Sequence, residues 1–277
     1  MNNTGTNEPK KSTKMFVNGV LILTISNILV KTIGLLFKIP LHDYLGDEGM
    51  GYFNAAYTIY TWFYMISTAG LPIAMSVLVS KSRAKGNFNQ VKKILRLSLW
   101  LFFIVGSVGM LILALGSGMF AALIKVERAN LCILAIAPTL FFVCLTSAYR
   151  GYFQGHQIMW PTAVSQLLES VGKLVLGILF ASWSISRGDP LYVTAAYTIL
   201  GITIGVFCGM VFIWITKLLY NTDAVNAEYA LPDSYTMPTE RTKTLLKELV
   251  VIAIPVTLSS SVMSLANLVD LMVVSRR

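Results

Sequence analysis

Five residues of the first apolar run, Thr24, Asn27, Lys31, Gly34 and Lys38, follow one another at spacings of three, four, three and four, which puts them on one face of a helix. Two ammonium groups in such a run are costly, roughly 2.5 to 3.5 kcal/mol each near the centre of a span, unless they reach water or a partner. Lys38 lies at the outer end and can snorkel. Lys31 lies about 10 Å deeper along the helix axis, where snorkelling is harder, so it is read as lining a polar cavity.

A second stripe comes from the fifth apolar run, where Gln166, Glu169 and Lys173 share a face with Gly177. Two readings stay open: an internal ion pair between Glu169 and Lys173 that fixes packing, or a cavity wall whose charges exchange partners as the bundle changes shape. Asn267 and Asp270, one turn apart in the last run, allow the same two readings. Between the fourth and fifth runs, Ala148 to Gln157 holds two glycines, aromatics and Arg150, the composition of an interfacial turn with an aromatic belt. Arg150 and Gln154 could also hold a phosphate head group at an inner mouth. No nucleotide-binding glycine loop, metal-ligand set or nucleophile with a base is found, so the chain is not expected to be an enzyme. His42 and His156 read as solvated loop residues. Cys132, Cys144 and Cys208 lie in apolar runs and read as buried free thiols.

The elements that must carry these residues are transmembrane helices. Of 277 residues, 55% are hydrophobic and 13% charged, about half the charged share of a soluble domain. Apolar runs of the length needed to cross a bilayer predict seven spans, at 16–38, 52–80, 95–117, 129–148, 162–184, 191–217 and 248–275. Pro72, Pro138 and Pro255 fall inside spans and predict kinks rather than breaks. The first run is too long for a signal-peptide core and is expected to remain as an anchor.

The net charge of +9 sits in short connections, a topology signal rather than a nucleic-acid surface. Lys10, Lys11 and Lys14, then Lys81 to Arg96, then Lys217 to Lys247 fall on one side; Asp43, Asp47 and Glu48 fall on the other. The N-terminus is therefore expected in the cytoplasm of a multi-pass cell-membrane protein. The division is a tail at 1–15, a six-helix unit at 16–217, a cytoplasmic linker at 218–247 and a final helix at 248–277. That helix echoes the first in its Ser, Thr and Asn content, as though a second repeat began there.

Several strings carry a family resemblance: Lys31-Thr-Ile-Gly-Leu-Leu-Phe-Lys-Ile-Pro40, Leu45-Gly-Asp-Glu-Gly-Met-Gly51, Ser67-Thr-Ala-Gly-Leu-Pro-Ile-Ala74, Arg150-Gly-Tyr-Phe-Gln-Gly155 and Pro161-Thr-Ala-Val-Ser-Gln166. In this order they resemble the stage V sporulation protein B branch of polysaccharide exporters. That branch is similar to MurJ-type lipid II flippases, in the superfamily that also holds the multidrug and toxin extrusion (MATE) transporters. The resemblance implies two six-helix lobes opening alternately to each side of a membrane, and a lipid-linked sugar pyrophosphate as substrate. By it, this chain holds the first lobe, the linker and one helix of the second, and is expected to work as part of a longer protein or of an assembly of two chains.

The family's basic cavity positions fall on Lys31 and Lys38. Its Glu-Gln then Arg pattern appears as Glu169-Ser170 and Lys173, and a lysine meets phosphate as a point charge rather than as a bidentate fork. No cofactor is implied; a coupling ion, sodium or proton, or the membrane potential would supply the drive. Three functions are weighed: flipping of a lipid-linked cell-wall precursor in growth or sporulation, cation-coupled export of drugs, and a non-transporting scaffold that meets cell-wall synthesis proteins.

Overall fold

The computed structural model describes residues 8–220 and 231–274, with side chains for 17–220 and 231–259. Every described element is helical: α1 Glu8–Thr68, α2 Leu71–Ala84, α3 Phe88–Leu115, α4 Ser117–Leu123, a 3-10 turn Glu127–Ala129, α5 Asn130–Gly155, α6 Trp160–Ser186, α7 Leu191–Leu219 and α8 Thr242–Val274. The protein is an all-α bundle of membrane-spanning helices. Large apolar side chains such as Ile25, Ile28, Leu35, Trp100 and Leu179 point outward, while Ser165, Ser184, Thr194 and Thr198 are wholly buried. Apolar outside and hydroxyl inside is the arrangement a bilayer selects, because lipid offers no partner to a polar group.

The first span extends beyond its predicted end. The chain stays helical through Pro40 to Gly46, which turns with φ 60° and ψ −172° and bends the helix back. Leu41 and Leu45, one turn apart and fully buried, draw this extension into the core. The acidic segment expected as a loop is therefore helical. At Pro72 the structure shows a break rather than a kink: α1 stops at Thr68 and α2 restarts at Leu71, with Pro72 in its first turn. Proline fits a first turn because the amide it lacks would be unpaired there in any case. Pro138 and Pro255 lie within continuous helices.

The last helix begins at Thr242, six residues earlier than expected, and packs on α1 and α2. A Cβ on Gly70, in the break, would fall 2.1 Å from the Ala253 carbonyl oxygen, so only glycine permits that contact. The second half of the connection is also ordered. The Ser234 carbonyl accepts from the amides of Phe88 (3.0 Å) and Asn89 (3.3 Å), and Lys93 donates to the Glu240 carbonyl (2.6 Å). The Phe88 and Asn89 bonds, with the Asn87 side chain accepting from the Gln90 amide (2.9 Å), satisfy open amides at the start of α3.

Candidate functional site: a polar cavity at mid-span

A cavity of about 380 Å³ opens among α1, α5, α6 and α7. Ile202 and Val206 of α7, Thr139 and Val143 of α5, and Gln166 to Lys173 of α6 place it at the middle of these helices. Tyr57, Tyr60, Thr61 and Tyr64, on the second half of α1, form an aromatic wall; their rings follow one another at centroid distances of 5.8 and 5.9 Å.

The charges are paired differently from the sequence expectation. Glu169 does not bond to Lys173; its Oε1 accepts from Arg150 Nη2 at 2.7 Å. Arg150 Nε also donates to Ser165 Oγ at 3.1 Å, and that hydroxyl donates to the Thr162 carbonyl. Lys173 places its ammonium 5.0 Å from the Phe37 ring centroid and 4.8 Å from that of Tyr57, within cation–π range. Among the described residues it has no carboxylate within salt-bridge distance. Two cations against one carboxylate leave the cavity wall with a net charge of +1. Gln166 adds a buried Oε1 with no hydrogen-bond partner among the described residues.

Arg150 reaches this site because α5 remains helical to Gly155. The segment expected as an interfacial turn is the end of that helix, and its glycines serve packing: a Cβ on Gly151 would lie 2.7 Å from the Pro72 carbonyl, and one on Gly155 2.6 Å from Val79 Cβ. Gln154 is half-buried but does not line the cavity. His156 is buried, not solvated: its Nδ1 lies 2.9 Å from the Tyr152 carbonyl, and Arg83 donates to its own carbonyl at 2.9 Å. His42 stays exposed, 3.9 Å from Asp47. Cys132 and Cys144 are buried free thiols, whereas Cys208 is exposed on the outer surface of α7.

Of the α1 stripe, Gly34 lines the cavity, while Thr24, Asn27, Lys31 and Lys38 are exposed and do not line it, contrary to the expectation for Lys31. The side chains of Asn267 and Asp270 lie outside the described residues.

The spacing of glycines on α7 is a signal that the reading of charges passed over. Gly201, Gly205 and Gly209 recur every four residues, the small-residue pattern of close helix contact. A Cβ on Gly205 would lie 2.8 Å from the backbone of Gly172 and Lys173, and one on Gly209 2.5 Å from Glu169 Cγ. The stripe holds α6 against α7 and leaves room for Glu169 to lie between them toward Arg150.

Residues 16–277 match the sequence model of a known family, the polysaccharide biosynthesis proteins. The chain belongs to the polysaccharide biosynthesis protein family. Among its relatives, the lipid II flippase MurJ of Bacillus subtilis (strain 168) is 30% identical over 210 residues, 72% of this chain and 38% of that protein. Stage V sporulation protein B of the same organism is 31% identical over 162 residues, 58% of this chain and 31% of that protein. The chain thus spans about a third to two fifths of these family members' length. In fold it is similar to a MATE transporter in its straight conformation, with a TM-score of 0.71 at 19% identity, covering 92% of this chain and 54% of that one.

Proposed function

We propose that this chain forms one half of a transporter that moves a lipid-linked sugar carrying a phosphate or pyrophosphate across the cytoplasmic membrane, its N-terminus on the cytoplasmic side. The observation that carries the reading is Lys173, an ammonium at mid-span held between two rings with no carboxylate partner among the described residues. Such a charge is expensive in a membrane unless water or an anion meets it. Arg150 has guanidinium donors beyond the two bonded to Glu169 and Ser165. The Gln166 carbonyl oxygen and the tyrosine hydroxyls suit sugar hydroxyls. The similarity to MurJ supports the same substrate chemistry.

Lys31 and Lys38 stand on the exposed face of α1 next to Gly34. A second lobe facing this one would enclose them, extending the cationic wall. Alternating access needs two such lobes, so transport is proposed of the assembled protein.

The second reading, export of cationic drugs, is favoured by the fold shared with MATE structures. It wants an anionic cavity, and Glu169, the one carboxylate lining this cavity among the described residues, is already held by Arg150. Binding separates the two: in nanodiscs, undecaprenyl pyrophosphate should bind and ethidium should not. Saturable ethidium binding that survives excess undecaprenyl pyrophosphate would favour the drug reading.

A further inference from the structure

The α2–α8 contact leaves a groove of about 450 Å³ that opens to the outside of the bundle, away from the mid-span cavity. The two helices run antiparallel along it, so its chemistry is graded. At one end are Lys81, Thr244 and Lys247; at the other are Val77, Leu78 and Val251. The polar end belongs to the face where the α2–α3 connection and the start of α8 meet, the face that its many Lys and Arg residues place in the cytoplasm. Val77 and Val251 are about half exposed, and Leu78 closes the floor.

Glu248 is the acidic residue of the lining. Its Oε2 lies 3.6 Å from Lys81 Nζ, a loose pair with half of the Lys81 side chain exposed. Lys247 has no carboxylate within salt-bridge distance among the described residues. Two ammonium groups against one carboxylate leave +1 at the mouth of an apolar slot. Basic pockets between spans on the cytoplasmic side are lipid head-group sites by this chemistry.

We propose that the α2–α8 groove binds one anionic phospholipid of the inner leaflet, its phosphate on Lys81, Lys247 and the Thr244 hydroxyl, and an acyl chain along Val77, Leu78 and Val251. The charge complementarity selects an anionic over a zwitterionic lipid, because the latter brings its own cation to a site already positive. Glu248 competes with the phosphate for Lys81 and sets the affinity. The site is independent of the transport reading.

The test is native mass spectrometry of the full chain released from nanodiscs that contain equal phosphatidylglycerol and phosphatidylcholine. One phosphatidylglycerol should be retained preferentially. Each lysine near the surface contributes about a fivefold preference, so Lys81→Ala with Lys247→Ala should lower phosphatidylglycerol retention roughly 25-fold and leave phosphatidylcholine unchanged. Glu248→Gln, which removes a charge and no volume, should raise phosphatidylglycerol retention by about fivefold. That variant keeps the proposal open to refutation if the double alanine variant fails to fold. Equal retention of the two lipids by the unaltered chain, or no increase in Glu248→Gln, would overturn the proposal.

Discussion

At the level of single residues, Arg150 and Glu169 pair with each other and leave the Lys173 ammonium against aromatic rings. Glu169→Gln keeps the volume but leaves Arg150 without its counter-charge. A hydrogen bond to a charged group contributes about 1.5 to 3 kcal/mol, and the loss falls short of a fully buried orphan charge because both side chains border a cavity, at 12% and 17% exposure. Thermal unfolding in detergent should show a loss of that size. Arg150→Gln with Glu169→Gln should recover part of it, as expected of a coupled pair; strictly additive losses would show that the two residues are not coupled. The sequence displayed all three residues, yet their pairing was not legible. Spacing along α6 joins Glu169 to Lys173, but the shorter path runs across to α5, and it opens only because Arg150 sits on a helix that outlasts its apolar run. The same extension buries His156, which composition alone assigned to a loop.

At the scale of elements, the α6–α7 seam depends on glycines that approach backbone to backbone. Gly205→Ala would press a methyl against Gly172 and Lys173 backbone atoms that have no side chain to move aside. Overpacking of this kind costs about 1 to 3 kcal/mol. Gly118→Ala, on α4 with open space around it, should be neutral or slightly stabilising, since alanine is the better helix former. Unfolding midpoints of the two variants, side by side, check the seam; equal midpoints would contradict it. The helical class and the places of most apolar stretches were legible from run length, which the bilayer dictates; against seven expected spans, five stretches among the described residues are long and apolar enough to cross a membrane, the first of them running from Val17 to Ala84 across the α1–α2 break. The element ends were not: Leu41 and Leu45 continue the first helix past Pro40 for packing reasons that no local signal carries. At Pro72 the proline reads as a kink, yet α1 ends at Thr68 and α2 begins at Leu71, and Gly70 between them lies against α8.

At the scale of the whole molecule, three connections gather at one end of the bundle. Arg83 bonds to the His156 carbonyl, and residues 234–240 bond to the start of α3. Tyr52, Arg128 and Tyr192 meet at the other end. This agrees with the alternation that lysine and arginine counts predict, and it fixes which labels should react together. In a chain freed of its native cysteines, Lys85→Cys should react with an impermeant maleimide only from the cytoplasmic face, and Asp47→Cys only from the outer face. Labelling of both from one side would break the topology.

The family and the all-α class were legible in short strings and run lengths, whereas the cations expected to line the interior, Lys31 and Lys38, are exposed. The cavity itself was not, because Arg150, the tyrosines of α1 and the glycines of α7 come together only through tertiary packing. An anionic lipid-linked phosphate is proposed to sit at Lys173 in this cavity. The most direct measurement is the binding of undecaprenyl pyrophosphate to the chain in nanodiscs, with undecaprenol as the uncharged reference. Preferential binding of the pyrophosphate is expected, weakened about tenfold or more by Lys173→Ala and largely kept by Lys173→Arg. Equal affinity for the pyrophosphate in the Lys173→Ala variant and the unaltered chain would contradict it.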